Sequence, residues 1–268
     1  MNDGNKLTTD RNILLVTKGH PFEREPFFQV FDEMPGVAWT HVEQPAAEAL
    51  YTVAQAQRYD AYVAYDIPGL AFTPNGPEIT EPSEQFKENF LALLEAGHGF
   101  VFLHHAICGW PAWETYAEII GGRFLYQPGE LRGTARLDSG YRHSVTHQVS
   151  VVADHPVTAG LPESFEITDE LYLFEVFEAD VQPLLVSDYE FVRENFYSAA
   201  NAVERGKMFD NSNWDHPSGS NLIGWTKEYA NSRIVYLQCG DDPVAYANPY
   251  FRQLVKNAIE WVATGRTI

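Results

Sequence analysis

The sequence predicts an α/β fold whose central sheet is mostly parallel and is covered by helices on both faces. Short apolar runs without polar/apolar alternation, such as residues 12–17 and 99–103, are typical of strands buried on both sides. Segments with apolar residues at helical spacing separate these runs, as expected for parallel strands joined by crossover helices. Polar/apolar alternation at residues 147–152 predicts antiparallel strands added to this sheet.

The first half of the chain alternates predicted strands with predicted helices. Ser83 is suited to cap a helix that Gly97 stops. Residues 70–82 contain three prolines and predict a long loop that covers a site. The predicted strands are residues 12–17, 39–43, 59–66 and 99–103, and the predicted helices are residues 25–34 and 83–96.

The second half is predicted to contain more strands and a closing helix. A polar loop is predicted over residues 206–221, and no internal repeat or low-complexity linker interrupts the chain. We therefore expect a flexible N-terminus (residues 1–11) and a single domain (residues 12–268). Helices are predicted at 113–120 and 248–264, and strands within 137–152 and at 165–172, 181–186, 223–225 and 233–238.

Charge and cysteine content limit the partners and the cellular compartment that we expect for this protein. The formal charge of −19, from 37 acidic and 18 basic residues, repels nucleic acids and anionic membrane surfaces, so we expect neither as a partner. The two cysteines lack CxxC spacing and favour a reducing compartment. With no apolar leader and no run of about 18 apolar residues, the predicted location is cytoplasmic. The oligomeric state stays open, and a homo-oligomer is compatible with the sequence.

Polar residues follow several predicted strands at their carboxyl ends. His20, Asp66, the pair His104-His105 and Asp241 each come after an apolar run. A lone histidine in such a place is usually a solvated loop residue. In open parallel sheets, however, ligands bind beyond the carboxyl ends of the strands. We therefore predict a shared site there, with His104, His105 and Asp66 as catalytic candidates.

The pair His104-His105 has several interpretations. Two buried imidazoles need polar partners, so one of them should face the site. The other either orients a carboxylate or joins His104 and His20 in binding a divalent metal such as zinc. No HExxH spacing supports the metal, and the absence of GxGxxG and GxxxxGK[ST] argues against a nucleotide cofactor.

A carboxylate and a phenol form the next candidate group. Glu170 and Tyr172 are two residues apart on a predicted strand and therefore share a face. They fit an acid/base pair or a clamp on sugar hydroxyls, although solvent-facing strand residues have the same pattern. Trp110 and Trp214 are candidates for stacking on a sugar ring, with Asp241 as a further substrate-binding residue.

An ordered set of motifs resembles the ThuA-like (trehalose utilisation) family, from about residue 12 to the end of the chain. The resemblance implies a flavodoxin-like sheet of the class I glutamine amidotransferase type. In that superfamily a cysteine occupies a sharp strand-to-helix elbow, whereas His104 or His105 stands there in this chain. The motifs are Gly19-His20-Pro21-Phe22, Phe102-Leu103-His104-His105-Ala106, Trp113 with Ile120-Gly121-Gly122-Arg123-Phe124, Asp154-His155-Pro156-Val157-Thr158, Thr168-Asp169-Glu170-Leu171-Tyr172 and Ala247-Asn248-Pro249.

One position departs from the family pattern. Family members often have Gly-His-Asp after the last strand, where this chain has Gly240-Asp241-Asp242. The family resemblance implies a small carbohydrate as the partner, either a disaccharide or its 3-keto derivative. It also implies isomerisation, elimination or hydrolysis by acid/base or metal-assisted chemistry, as in a metal-dependent lyase, isomerase or hydrolase.

Two other functions are compatible with the same residues. One is a catalytically silent sugar-binding or regulatory protein that keeps the amidotransferase-like scaffold without its nucleophile. The other is a hydrolase that uses Cys108 or Cys239 as the nucleophile.

Overall fold

The computed structural model describes residues 10–73 and 76–265. In residues 10–73 and 76–95, helices separate most of the strands, as the apolar runs predict. These elements are β1 (Arg11–Lys18), α1 (Arg24–Asp32), β2 (Val37–Glu43), α2 (Val53–Ala56), β3 (Ala61–Asp66), β4 (Leu70–Thr73), β5 (Gly76–Ile79) and α3 (Glu84–Glu95).

The middle of the chain contains a short buried strand followed by several small elements and one long strand. These elements are β6 (Gly99–Leu103), a 3-10 helix (His104–Cys108), α4 (Glu114–Ile120), β7 (Gly122–Arg123), β8 (Gly129–Leu131), β9 (Thr134–Arg136) and β10 (Gly140–Val151).

The remaining elements complete the sheet and end in the longest helix. These elements are β11 (Ser164–Leu173), β12 (Glu175–Val176), β13 (Gln182–Ser187), β14 (Tyr197–Ser198), α5 (Ala199–Val203), β15 (Leu222–Tyr229), β16 (Ser232–Leu237), α6 (Pro243–Ala247) and α7 (Pro249–Ala263).

A 10-stranded sheet organises the molecule. Its parallel half has the strand order β2-β1-β3-β6-β16, which is the flavodoxin-like order. From β16 the sheet continues through antiparallel pairs to β15, β13, β10 and β11, and β14 also pairs with β10. The predicted fold class, with its parallel sheet and antiparallel additions, is confirmed.

Alternate residues of the parallel strands pack into two separate cores. On one face, Ile13 and Leu15 lie in a cluster with Phe27 of α1 and Leu254 of α7. On the other face, residues such as Leu14 pack in a cluster that includes α3 and α4. Burying about 100 Å² of apolar side chain contributes about 2.5 kcal/mol, so both layers stabilise the sheet.

Local signals place several element ends correctly. The Ser83 hydroxyl accepts a hydrogen bond from the Phe86 N–H at 3.2 Å and begins α3. Gly121 ends α4 with φ of +96°, a conformation that glycine adopts without strain. The predicted flexible segment 1–11 lies, up to residue 9, outside the described residues, and Arg11 already belongs to β1.

The prediction of a long loop at 70–82 is wrong. β4 and β5 form a two-stranded antiparallel ribbon there, with Leu70 opposite Ile79 and Phe72 opposite Pro77. A two-stranded ribbon has only edge strands, so the missing N–H of Pro77 is tolerated. No helix within residues 10–73 and 76–265 is both long and apolar enough to span a bilayer.

Candidate functional site

A sharp strand-to-helix elbow carries the central residue of the site. β6 ends at Leu103, and His104 follows with φ of +46°, a left-handed conformation that costs energy in a residue with a Cβ. His104 is 0% exposed, and its Nδ1 lies 2.6 Å from the Gln238 carbonyl oxygen. Since a carbonyl only accepts hydrogen bonds, Nδ1 carries a proton and Nε2 is directed into the site.

One hydroxyl group and two carboxylates surround the Nε2 atom of His104. The Tyr172 hydroxyl lies at 2.7 Å, Glu170 Oε2 at 3.0 Å and Asp241 Oδ1 at 3.4 Å. Glu170 and Tyr172 share one face of β11, as their spacing predicts, and Asp241 follows β16. The structure thus brings together four of the predicted site residues around one imidazole nitrogen.

The antiparallel part of the sheet curves back over the carboxyl ends of the parallel strands. In strand order β11 is four places from β16, yet the Tyr172 N–H donates to Gln238 Oε1 at 3.1 Å, just beyond β16. This curvature carries Glu170 to the elbow. Strand periodicity alone gives no signal for such a long-range approach.

A buried carboxylate, Asp169, links the two segments that supply the acidic groups. It is 0% exposed and accepts hydrogen bonds from the backbone N–H groups of Glu170 (2.9 Å), Gly240 (2.6 Å) and Asp241 (3.0 Å). Asp169 therefore fixes the positions of Glu170 and Asp241 relative to each other. Its side chain lies on the opposite side of β11 from Glu170 and does not contact the cavity described below.

The stability of these contacts depends on whether His104 Nε2 carries a positive charge opposite the two carboxylates. Burial alone lowers the pKa of His104, but hydrogen bonds and charges from Asp241 and Glu170 outweigh burial and hold the pKa well above its usual range. Burial raises the pKa of Asp241, but the hydrogen bond and charge of His104 outweigh it and lower that pKa. A bare Nε2 lone pair could accept a hydrogen bond from the Tyr172 hydroxyl but would repel both carboxylates, so this arrangement favours a proton or a metal ion there.

The residues around Nε2 also fit a divalent metal. Ligand atoms of His104, Glu170 and Asp241 all lie within 4.8 Å of one another. One imidazole nitrogen and two carboxylates suit zinc or manganese, and a metal-bound histidine usually donates its other N–H to a fixed acceptor, as Nδ1 does here. Of the predicted ligands His20, His104 and His105, only His104 belongs to this group.

His20 and His105 form a second imidazole pair beside the cluster. Their ring centroids lie 5.0 Å apart, and His105 Nε2 donates to the Tyr65 carbonyl oxygen at 3.3 Å. Among the described residues neither Nδ1 atom has a hydrogen-bond partner. Burial lowers the pKa of both histidines, so both are neutral near pH 7. His105 is 1% exposed and lies behind His20, which faces the cavity.

A cavity of about 200 Å³ opens above these residues. Glu170, Tyr172, His20 and His143 form its polar floor. His143 was not predicted: its side chain is 40% exposed, and its Nδ1 lies 3.3 Å from Glu170 Oε1. The β10–β11 register shifts between Arg142 and Val145, and this bulge places His143 at the floor. No pattern in the sequence indicates the bulge.

Three predicted site residues lie away from the cavity floor. Asp66 faces the opposite side of the sheet and accepts a hydrogen bond from Gln44 Nε2 at 2.9 Å. Trp110 lines a separate cavity beside Gly69. Trp214 is 4% exposed in the core and donates its indole N–H to the Asp138 carbonyl oxygen at 3.0 Å.

The two thiols are poorly suited to nucleophilic chemistry. Cys108 is 0% exposed and Cys239 is 3% exposed, and both are unpaired. Burial raises the pKa of each thiol far above its ordinary value, so neither forms a thiolate near neutral pH. The elbow position belongs to His104, and this geometry disfavours a cysteine hydrolase.

Comparisons with known proteins agree with this fold. A ThuA-like protein of Parabacteroides merdae superposes with a TM-score of 0.67 at 18% identity, over 96% of this chain and 91% of that chain. A ThuA-like protein of Bacteroides uniformis gives 0.63 at 18% identity, over 98% and 95%. A cytoplasmic protein of Salmonella typhimurium gives 0.56 at 12% identity, over 93% and 98%.

At the level of sequence, no curated protein matches this chain. The profile of the ThuA family, described as trehalose utilisation, matches residues 12–262. That match spans nearly the whole chain, from β1 to the closing helix. This chain therefore belongs to the ThuA family.

Proposed function

We propose that this protein is an enzyme that acts on an oxidised sugar, a 3-keto glycoside, by removing the proton beside the carbonyl and expelling the glycosidic substituent. One observation carries the proposal. The Glu170 carboxylate lies at the cavity floor between the buried His104, 3.0 Å from Oε2, and the half-exposed His143, 3.3 Å from Oε1. A base between two imidazoles is suited to proton transfer.

The reaction balances without an oxidant. The 3-keto group acidifies the hydrogen at C2 of the sugar, and Glu170 takes that proton. The electron pair of the C–H bond becomes the C1–C2 double bond while the C1–O bond breaks. The leaving oxygen takes a proton, so one keto glycoside gives one unsaturated keto sugar and one alcohol.

Three of the four polar residues of the floor have a place in this scheme. Glu170 is the base, and His20, which lines the cavity, is placed to hydrogen-bond the substrate's carbonyl oxygen. His143 faces the open side and is placed to give a proton to the leaving oxygen. His104 is buried and acts through Glu170 as a positioning residue.

A divalent ion such as zinc, held by His104, Glu170 and Asp241, would supply Lewis-acid polarisation of the substrate carbonyl. Glu170 Oε2 lies 3.0 Å from His104 Nε2, and Oε1 lies 3.3 Å from His143 Nδ1. With Oε2 on the ion, Oε1 on the His143 side would be the oxygen that takes the substrate's proton. No nucleotide cofactor is part of the proposal.

The proposed ligand class and cellular location are based on the charge of the chain and on its cysteines. The formal charge of −19 disfavours nucleic acid and anionic membrane partners, and a small carbohydrate is the proposed ligand. A cytoplasmic location is part of the proposal, and the two unpaired, buried cysteines support it.

Incubation with 3-keto-trehalose in D₂O tests the proposal. We expect loss of the C2 proton signal and release of glucose by NMR, with a decrease of at least about 100-fold in Glu170→Gln, because a general base contributes about 10²–10⁴ to the rate. Saccharide binding by the wild-type protein without exchange or turnover, unaffected by chelators, would instead indicate a catalytically silent binding protein.

A further inference from the structure

The first wall of the cavity is a continuous row of aromatic rings. The ring centroid of Phe72 lies 5.3 Å from that of Tyr126, which lies 5.0 Å from that of Phe124. The Phe124 ring lies 4.8 Å from that of Tyr172 on the floor. Because Phe72 at the outer end is 45% exposed, the row leads from solvent to the residue that contacts His104.

The second wall is also apolar and includes one exposed side chain. Met208, in the segment after α5, lines the cavity and is 54% exposed, whereas its neighbour Phe209, which is 59% exposed, does not line it. Tyr141 also lines the cavity, and its hydroxyl accepts from the Phe209 N–H at 2.9 Å and contacts the Met208 sulfur at 3.8 Å. Large apolar side chains grouped at the rim of a cavity commonly mark a binding surface.

The hydroxyl groups on these walls are already occupied. Tyr126 is hydrogen-bonded to the Cys108 thiol, and Tyr141 contacts Met208 and Phe209 as described. A second sugar ring between the walls would find few hydrogen-bond partners for its hydroxyl groups there, which is costly even where its C–H face stacks on an aromatic ring. A flat apolar ring has no such cost and gains contact with aromatic faces.

From this distribution we propose that the leaving group is an aromatic alcohol and not a second sugar, so the substrate class is a 3-keto glycoside with an aryl or benzyl aglycone. The inference rests on the proposed function and specifies its substrate. The oxidised sugar occupies the polar floor at Glu170, and the aromatic ring lies between Phe72 and Met208. His143 on the floor gives its proton to the glycosidic oxygen that joins the sugar to the aromatic ring.

The test compares benzyl 3-keto-glucoside with 3-keto-trehalose, 3-keto-cellobiose and methyl 3-keto-glucoside. The benzyl and methyl glycosides are prepared as α anomers for comparison with 3-keto-trehalose and as β anomers for comparison with 3-keto-cellobiose. We expect kcat/KM for the benzyl substrate to exceed that of the disaccharides at least about tenfold, because burial of one apolar ring contributes enough binding free energy for a factor of that size. Phe72→Ala and Met208→Ala should remove this advantage through KM, with a smaller effect on the methyl substrate, which has no ring between the walls. Ile79→Ala, exposed on the same ribbon as Phe72 but not lining the cavity, is the control.

Two outcomes separate this inference from the proposed function. Disaccharides turned over as well as the benzyl substrate, with neutral wall variants, would overturn the aromatic aglycone and leave the proposed activity intact. If no keto glycoside reacts, the proposed activity fails. Binding affinities measured by calorimetry then test whether the cavity prefers an aromatic aglycone. Benzyl glucoside binding more tightly than trehalose, with the difference lost in Phe72→Ala, supports the inference, and equal binding overturns it.

Discussion

The buried carboxylate of Asp169 holds the backbone of Gly240, whose N–H donates to Oδ2 at 2.6 Å. Together with its bonds to the N–H groups of Glu170 and Asp241, this contact joins β11 to the segment after β16. The two carboxylates beside His104 therefore depend on one residue that does not itself line the cavity.

Asp169→Asn should disturb this junction, because an amide presents an NH₂ group where the carboxylate accepts N–H donors. Burial raises the pKa of Asp169 to about 7, so the comparison is made at pH 8, where the carboxylate is ionised. There we expect the free energy of unfolding to fall by about 3 kcal/mol, since hydrogen bonds to a buried charged group contribute about 1.5–3 kcal/mol each. Urea denaturation measures this change, with the exposed Asp154→Asn as the control. A loss below about 1 kcal/mol, within the range of ordinary surface substitutions, would contradict the assigned role.

Sequence reasoning predicted the sheet because parallel strands buried on both faces have a recognisable composition. It predicted His104 and Asp241 because the carboxyl ends of such strands meet at one edge. Asp66 also lies at the carboxyl end of a strand, as the last residue of β3. Its neighbour Tyr65 points toward His105, so the alternation of side chains along the strand directs Asp66 to the other face.

Other parts of the site depend on long-range packing. His143 reaches Glu170 through a bulge, and the approach of β11 to the elbow depends on curvature of the antiparallel strands. Trp110 and Trp214 have the composition of ligand-stacking residues, but their rings are 5% and 4% exposed, away from the cavity floor. Aromatic composition alone does not distinguish a core ring from a ligand platform.

Metal content distinguishes the ligand set of the structure from the set predicted by sequence. We expect elemental analysis of the wild-type protein to find about one zinc or manganese ion per chain, and His104→Ala and Asp241→Asn to lose it. His20→Ala should retain the ion, because His20 is outside the three-residue group. Retention in Asp241→Asn together with loss in His20→Ala would favour His20, His104 and His105 instead.

Asp66 should make stability depend on pH. Burial raises its pKa from 3.8 to about 7, so between about pH 4 and pH 7 the folded state keeps a proton that the unfolded chain releases. The contribution of Asp66 is therefore fully present below pH 4 and is lost as the pH rises toward 7. The free energy of unfolding of Asp66→Asn, relative to that of the wild-type protein, should therefore increase by on the order of 3 kcal/mol as the pH rises from 4 to 8.

Urea denaturation at several pH values measures this difference. Asp215→Asn is the matched control, since the side chain of Asp215 is 96% exposed. Parallel pH profiles for the wild-type protein and Asp66→Asn would contradict the prediction. Such a result would mean that Asp66 is charged in the folded state despite its burial.

His143 should act on the leaving group, because it lies on the open side of Glu170 with its Nδ1 3.3 Å from Oε1. In His143→Gln we expect kcat for benzyl 3-keto-glucoside to fall about 100-fold, as general-acid catalysis contributes about 10²–10⁴. 4-Nitrophenyl 3-keto-glucoside needs little protonation of its leaving oxygen, so its kcat should fall less than about threefold. Equal losses for both substrates would show that His143 only positions Glu170, and circular dichroism of the variant would verify that it folds.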